Sequence, residues 1–411
     1  INADRIPDVF IGGRSAQLLA VNGKTGKIIW EFFPQPNPPG KTVSPADSGW
    51  FNFFNPQFVP DQDGDGLEEL LVSNGGNYLI QAHDPNRPVG NLLVVSSLNG
   101  SMLAKAPMPD GKETYLSPVV ADFGGGELWV IFGTGGETIG GGLYKVRLAD
   151  VLRGDVSRAE LLASSATKGF IAPPVLVDIT ADGVYDIITN SVDGRMLAID
   201  GATDSLLWQV EVPHTEAYSA PTVGYFNEDS IPDFFANYGV GVWPAIIRSV
   251  QLLVDGKTGN VLYRNSLGGF QYASPVTADM NGDGFDDGLL SINTRYADGN
   301  YEDVLCSRLM VFDFHNRAHY PVGDTLLGHN LASTPWAGDL NGDGKLEIIA
   351  CSIGVKQLTN DIDNPRALRI SLFATSQPAQ KTIAWGAYMG SGYDGLFRKK
   401  NTRSSKKKPG F

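Results

Sequence analysis

Asp279-Met280-Asn281-Gly282-Asp283-Gly284-Phe285-Asp286-Asp287 carries an acidic or amide side chain at its first, third, fifth and ninth positions and glycine at the sixth. The pattern returns as Asp61-Gln62-Asp63-Gly64-Asp65-Gly66-Leu67-Glu68-Glu69 and as Asp339-Leu340-Asn341-Gly342-Asp343-Gly344-Lys345-Leu346-Glu347. Degraded copies fill the intervals. Asp178, Thr180, Asp182, Gly183 and Asp186 keep the frame with a hydroxyl at the third position, and Asn227, Asp229 and Asp233 keep it with Tyr225 at the first. Around Asp122 the loop has collapsed into Gly124-Gly125-Gly126, and Asn2, Asp4 and Asp8 open the chain one residue too late to show the first position. Continuation upstream of Ile1, with an Asp just before it and an export signal further on, is therefore expected. The loops recur about every 47 to 61 residues, the spacing of stacked supersecondary units.

A second signature runs out of phase with the first. Val21-Asn22-Gly23-Lys24-Thr25-Gly26 leads to Trp30, Ile199-Asp200-Gly201 to Trp208, and Val254-Asp255-Gly256-Lys257-Thr258-Gly259 to Tyr263. Weaker copies follow Leu98-Asn99-Gly100 and Phe312-Asp313, the last ending at Trp385. Asn-Gly and Asp-Gly between alternating apolar residues predict hairpins whose turns need positive φ. One acidic loop and one hairpin make four strands per repeat. Seven such sheets close most economically into a ring around an axis, since an open array would expose apolar faces and strand edges. The expected fold is all-β, a seven-bladed β-propeller of four-stranded antiparallel blades over residues 1–397, followed by a basic flexible tail over 398–411. The best helical candidate, Lys145 to Leu162, is short.

Composition agrees with this reading. The chain has 49 glycines in 411 residues, well above the average of about 7 %. A net charge of −13 disfavours nucleic acid as a partner, because a phosphate-binding face needs a basic stripe within the fold. No apolar run reaches the roughly 18 residues of a spanning helix. Arg398, Lys399, Lys400, Arg403, Lys406, Lys407 and Lys408 concentrate positive charge at the C-terminal end, a solvated tail or an electrostatic tether. Cys306 and Cys351 fall in neighbouring repeats, as buried thiols or as a disulfide in an oxidising compartment.

Alternating oxygen ligands, a turn glycine and a terminal carboxylate suit a hard cation that takes six to eight oxygens. Calcium is the expected ion, at three or four sites. Their ligands are Asp61, Asp63, Asp65, the Leu67 carbonyl and Glu69; Asp178, Thr180, Asp182, the Val184 carbonyl and Asp186; Asp279, Asn281, Asp283, the Phe285 carbonyl and Asp287; and Asp339, Asn341, Asp343, the Lys345 carbonyl and Glu347. Bare Asx-turns are expected at the copies near Asp122 and Tyr225. Sites of the weak class, Kd about 10⁻⁴ to 10⁻³ M, fill only where calcium is abundant. That places the chain outside the cytoplasm.

Acidic loops preceded by Ser117-Pro118, Ala220-Pro221, Ser274-Pro275 and Thr334-Pro335 resemble the FG-GAP repeats of integrin-type propellers, and the Gly-rich hairpins ending in Trp resemble those of PQQ-like propellers. The resemblance covers residues 1 to 397 and implies fold and calcium. The Phe-Gly and Gly-Ala-Pro signatures are mostly replaced by Ser-Pro or Ala-Pro, and no adjacent cysteine pair is present, so no PQQ is expected.

Before each proline-led strand lies an aromatic or polar cluster: Trp50, Phe51, Phe53 and Phe54; Tyr115; Phe170; Tyr218; Phe270 and Tyr272; His329 and Asn330. These segments should meet at one mouth of the central channel, with Trp50, Phe51, Phe53 and Phe54 as an exposed partner face. The expected function is a non-enzymatic scaffold that binds a protein or surface glycan, on its own or within an envelope assembly. The alternative is a polysaccharide-active lyase or hydrolase, recognisable by a deep pocket at the channel mouth beside a shifted Tyr, His or carboxylate.

Overall fold

In the computed structural model the chain forms seven antiparallel sheets in sequence order, arranged as the blades of a β-propeller. The structure describes residues 1–32, 48–297, 303–354 and 367–398, apart from 78, 82, 244, 247, 270, 331, 380–382 and 384. The Pro34–Pro39 stretch, the Lys356–Arg366 insertion, Phe270 and the basic tail beyond Arg398 lie outside the described residues.

Blade 3 shows the plan, with Val119–Asp122 innermost, then Leu128–Gly133, Gly141–Arg147 and Glu160–Ser165. Blades 4 and 6 repeat it from Val175–Val177 and Val276–Ala278. In blade 2 the inner strand is broken into Asn52–Phe53 and Gln57–Val59, and in blade 5 into Thr215–Glu216 and Thr222–Gly224. Both halves pair with the same second strand. The prolines at the break, Pro56 and Pro221, have no N–H to give a ladder. The first blade (from Val9–Gly12) and the last (from Trp336–Gly338) show three strands each among the described residues. The expected helix shrinks to Leu148–Leu152, between two strands of blade 3.

Alternation along each strand sends residues to the two faces of its blade, and each face packs on the next sheet. One apolar cluster seals each neighbouring pair from blade 1|2 to blade 6|7. The free faces of the end blades differ: Leu368, Ile370 and Leu372 of blade 7 are 67, 67 and 57 % exposed, and Val9, Ile11 and Ile28 of blade 1 are 49, 46 and 57 % exposed.

Trp385 does not end a hairpin. It opens a segment that crosses the inner strands, where Thr277 N–H donates to the Trp385 carbonyl at 2.9 Å and Ala337 N–H to that of Gly386 at 2.7 Å. Further on, Leu176 N–H donates to the Gly395 carbonyl, and Gln57 Nε2 to that of Tyr393. One short run of chain thus touches blades 2, 4, 6 and 7 and plugs the channel.

The hairpin glycines also act differently from expectation. Gly23, Gly201 and Gly256 are not among the positive-φ residues, a role taken by Gly26, Asp204 and Gly259. Their constraint is close approach: a Cβ there would lie 1.8, 1.7 and 1.9 Å from the carbonyl oxygens of Pro7, Tyr185 and Pro232. Cys306 is a buried free thiol and Cys351 a half-buried one.

Candidate metal centre and channel mouth

Each acidic loop is built by its own backbone. Gly64 and Gly66 N–H donate to the two Asp61 oxygens at 2.8 and 3.0 Å, Asp65 N–H to Asp63 at 3.1 Å and Leu67 N–H to Asp65 at 2.8 Å. The two glycine bonds hold the Asp61 carboxyl below the usual carboxylate range. The ladder recurs on Asp279, Asn281 and Asp283 and on Asp339, Asn341 and Asp343. It is thinner at Asp178, where Gly183 N–H donates at 3.3 Å and Val184 N–H reaches Asp182 at 2.8 Å. Asp122 keeps the bonds from Gly124 and Gly126 without further carboxylates.

The ninth position has a second task. Asp8, Glu69, Asp186 and Asp233 accept the N–H of Gly23, Ser97, Gly201 and Gly256, at 3.1, 3.1, 3.1 and 3.0 Å. Each bond ties the acidic loop to the hairpin on the same edge of its blade. Asp186 also accepts the N–H groups of Ile179 and Thr180.

Among the described residues, carboxylate oxygens of three or more residues converge within 4.8 Å at two places. The first joins Asp61, Asp63, Asp65 and Glu69. Glu69 is fully buried; its Oε2 takes the Ser97 bond while Oε1 has no partner. Burial, with repulsion from Asp63 and Asp65, raises its pKa. A buried acceptor left unpaired is costly, and a cation among these oxygens would satisfy it. The donor set is all oxygen, as calcium requires.

The other loops converge less. Asn281 turns its amide nitrogen to Asp283 at 3.1 Å and to Asp313 at 2.8 Å, and Asn341 does so to Glu347 at 3.3 Å. Burial, then repulsion from Asp313, Asp283 and Asp279, pushes the Asp287 carboxyl up to about 8. The second cluster is Asp229, Asp233 and Asp255, at a copy expected to be a bare turn. Reading one loop at a time misses Asp255, which the neighbouring hairpin delivers.

The expected exposed patch is folded inward. Phe51 and Phe53 are buried, and Trp50 and Phe54 half-buried. Phe32 packs edge-on against Trp50 and Phe53 at 5.2 and 4.9 Å, Lys105 covers the Trp50 ring, and Phe54 meets Tyr115. Phe170 is core. Tyr115, Tyr218 and Tyr272 do gather at the channel mouth. Buried asparagines hold these segments in place: Asn190 Nδ2 donates to the Ser219 carbonyl at 2.9 Å, and the Asn293 side chain donates to the Asn330 carbonyl at 2.7 Å and accepts the Asn330 N–H at 2.9 Å. Asn190 and Asn293 both lie in second strands but at different distances from Asp186 and Asp287, so no fixed spacing marked them in the sequence.

No family model matches the sequence. Protein FAM234B of Mus musculus is 23 % identical over 296 residues, 66 % of this chain and 42 % of that protein. The chain therefore spans less than half the length of that curated relative. A europium-containing methanol dehydrogenase superposes with a TM-score of 0.52 at 13 % identity, over 84 % of this chain and 72 % of that one. BamB from Moraxella catarrhalis gives 0.40 at 12 % identity, over 84 and 79 %. At these identities the likeness shows the propeller fold, with a dehydrogenase and BamB as neighbours. It also corrects the non-enzymatic expectation: a solved structure with this architecture is an enzyme, so the fold gives no ground for excluding catalysis. No helix among the described residues is long and apolar enough to cross a membrane.

Proposed function

We propose that this chain is a calcium-braced, extracytoplasmic propeller of the integrin-loop type, serving as a binding scaffold for a protein or a surface glycan. The observation that carries the calcium half is the buried, unpartnered Glu69 Oε1 set among Asp61, Asp63 and Asp65. Asp61 and Asp65 come from the exposed loop, while Glu69 opens a core strand. A cation joining them would pin the loop to the blade, and weak sites of this kind fill where calcium is plentiful. The loops at Asp279 and Asp339 would take calcium once Asn281 and Asn341 turn their amide oxygens inward. That part of the reading requires a rotation that the loop at Asp61 does not.

The test is thermal unfolding in excess chelator and across a calcium titration, with Asp63→Asn and Asp65→Asn alongside. Both variants keep an acceptor for the turn N–H and lose only charge and a ligand oxygen. A ligand bound only by the native state stabilises it by about 2.7 kcal/mol at a hundredfold excess over Kd. The wild-type Tm is expected to rise with calcium and the rise to be blunted in both variants; a wild-type curve that ignores calcium overturns the proposal.

A further inference from the structure

At the channel mouth, residues entering the inner strands of successive blades face one another across a cavity of about 420 Å³. Tyr115 comes from blade 3, Ile171 from blade 4, Tyr218 from blade 5, Tyr272 from blade 6 and Thr334 from blade 7, with Tyr388 supplied by the plug. A site that five blades share can only lie on the axis. Its volume is within the roughly 300 to 1,000 Å³ of small-molecule sites.

The chemistry of the wall is narrow. Tyr218 and Tyr272 meet edge to face at 4.6 Å, and Trp243 stands behind Tyr272 at 6.0 Å. Two ion pairs flank these rings. Arg87 is bonded to Glu113 and to the Tyr115 hydroxyl, which itself donates to Glu113 at 2.9 Å. Across the cavity Lys168 pairs with Glu216 at 2.5 Å, and Glu216 accepts the Tyr218 hydroxyl. Burial raises the pKa of Tyr115, Tyr218 and Tyr272, so all three phenols stay neutral. Glu137 adds a further carboxylate, near enough to raise all three phenols; the cavity thus presents aromatic faces and hydroxyls inside a rim where Glu113, Glu137 and Glu216 outnumber Arg87 and Lys168. An anion would meet the Glu113 and Glu216 carboxylates, and a cation would have to compete with Arg87 and Lys168 for them.

The arrangement is held rigidly. Gly76, at φ +71°, carries the Tyr115 ring so closely that a Cβ would lie 2.4 Å from it, and a Cβ on Gly136 would lie 2.7 Å from Glu113. Ser117 bonds the Tyr388 hydroxyl at 3.1 Å, anchoring the floor to blade 3. Preorganised aromatic faces beside hydroxyl donors and acceptors match a ring that has apolar C–H faces and an equatorial belt of hydroxyls.

We propose that this cavity binds an uncharged sugar ring of a glycan, stacked on Tyr218 and Tyr272 and hydrogen-bonded by the surrounding hydroxyls. The inference rests on the glycan half of the function proposed above and assigns it a place. The probes are cellotriose, maltotriose and laminaritriose, with trigalacturonate as the acidic counterpart, followed by saturation-transfer NMR and calorimetry on the full chain. At least one neutral trisaccharide is expected to bind, and Tyr218→Ala and Tyr272→Ala should each weaken it roughly tenfold or more. Ala332 is exposed where it lines the cavity, so Ala332→Trp adds bulk there while leaving the tyrosines in place, and should abolish binding even if a tyrosine variant fails to fold. The proposal is overturned if no neutral probe binds, if trigalacturonate binds more tightly, or if binding survives Ala332→Trp. Repeating the titration in chelator separates the two readings: sugar bound without any calcium effect on Tm removes only the metal, and a calcium effect without sugar binding removes only this site.

Discussion

Asp233 shows how far one carboxylate can be moved by its surroundings. It is fully buried, accepts the Gly256 N–H at 3.0 Å and the Asn227 amide at 2.7 Å, and faces Asp229 and Asp255. Burial is the leading cause that pushes it up to about 8, with the two neighbouring carboxylates adding to it. Its unfolded value is near 3.9. Between those two values the native state holds a proton that the unfolded chain has released, so stability falls as pH rises across that window and is complete below it. In chelator, the midpoint of urea unfolding should therefore decrease from pH 5 to pH 8. Asp233→Asn should flatten that slope, and an equally steep slope in the variant would assign the effect to other groups.

Between blades, the recurring aromatic of the hairpin is the unit of attachment. Trp30 of blade 1 donates through Nε1 to the Ser97 carbonyl at 2.9 Å and lays its ring on Gly100 of blade 2. Trp208 of blade 4 repeats this on Gly256 and Gly259 of blade 5. Gly100 and Gly259 have φ of +76° and +73°, and a Cβ would come within 2.6 and 2.9 Å of the indole. Strain and overpacking add, so Gly100→Ala and Gly259→Ala should each cost about 1–3 kcal/mol in chemical denaturation. A loss under ~0.5 kcal/mol, the size of an ordinary surface change, would mean the indole is not seated there. The glycine-to-tryptophan spacing misassigned Trp385, yet it was legible in the sequence and gave the hairpins ending at Trp30 and Trp208, because turn and strand are local. That each tryptophan seats on the next blade was not legible, since it depends on the angle between sheets. The same limit explains Phe53: a proline-rich neighbour suggested an exposed loop, and only the meeting of blades 1 and 2 supplies the core that buries it. Asp255 escaped for a related reason, since the loop and the hairpin of blade 5 meet only in the folded sheet; the gathering of Tyr115, Tyr218 and Tyr272 at the channel mouth was legible, because each enters its inner strand at the same place in the repeat.

For the whole molecule, the blades alone would behave as a linear array whose members contact only their neighbours, and such arrays lose cooperativity as they lengthen. The end blades show the weakness, with apolar residues of their outer faces exposed. Amide exchange should accordingly be faster in the strands Ile28–Glu31 and Ala367–Pro378 than in Asp186–Ser191 or Asp233–Val240 at the centre of the array. The channel segment counters that weakness. Trp385 is 2 % exposed within the cluster of blades 4 and 5, its ring rests on Gly390, and the residues after it bond to inner strands on several sides of the channel. Trp385→Ala removes a large buried ring from the segment that joins blades far apart in the chain. A loss of about 3–5 kcal/mol is expected from the cavity. The more telling readout is the denaturant slope: it should fall in the variant as a single transition broadens into steps, because distant blades no longer unfold together. A variant with a lower midpoint and an unchanged slope would show that Trp385 only fills space, and that neighbour packing alone makes the propeller cooperative.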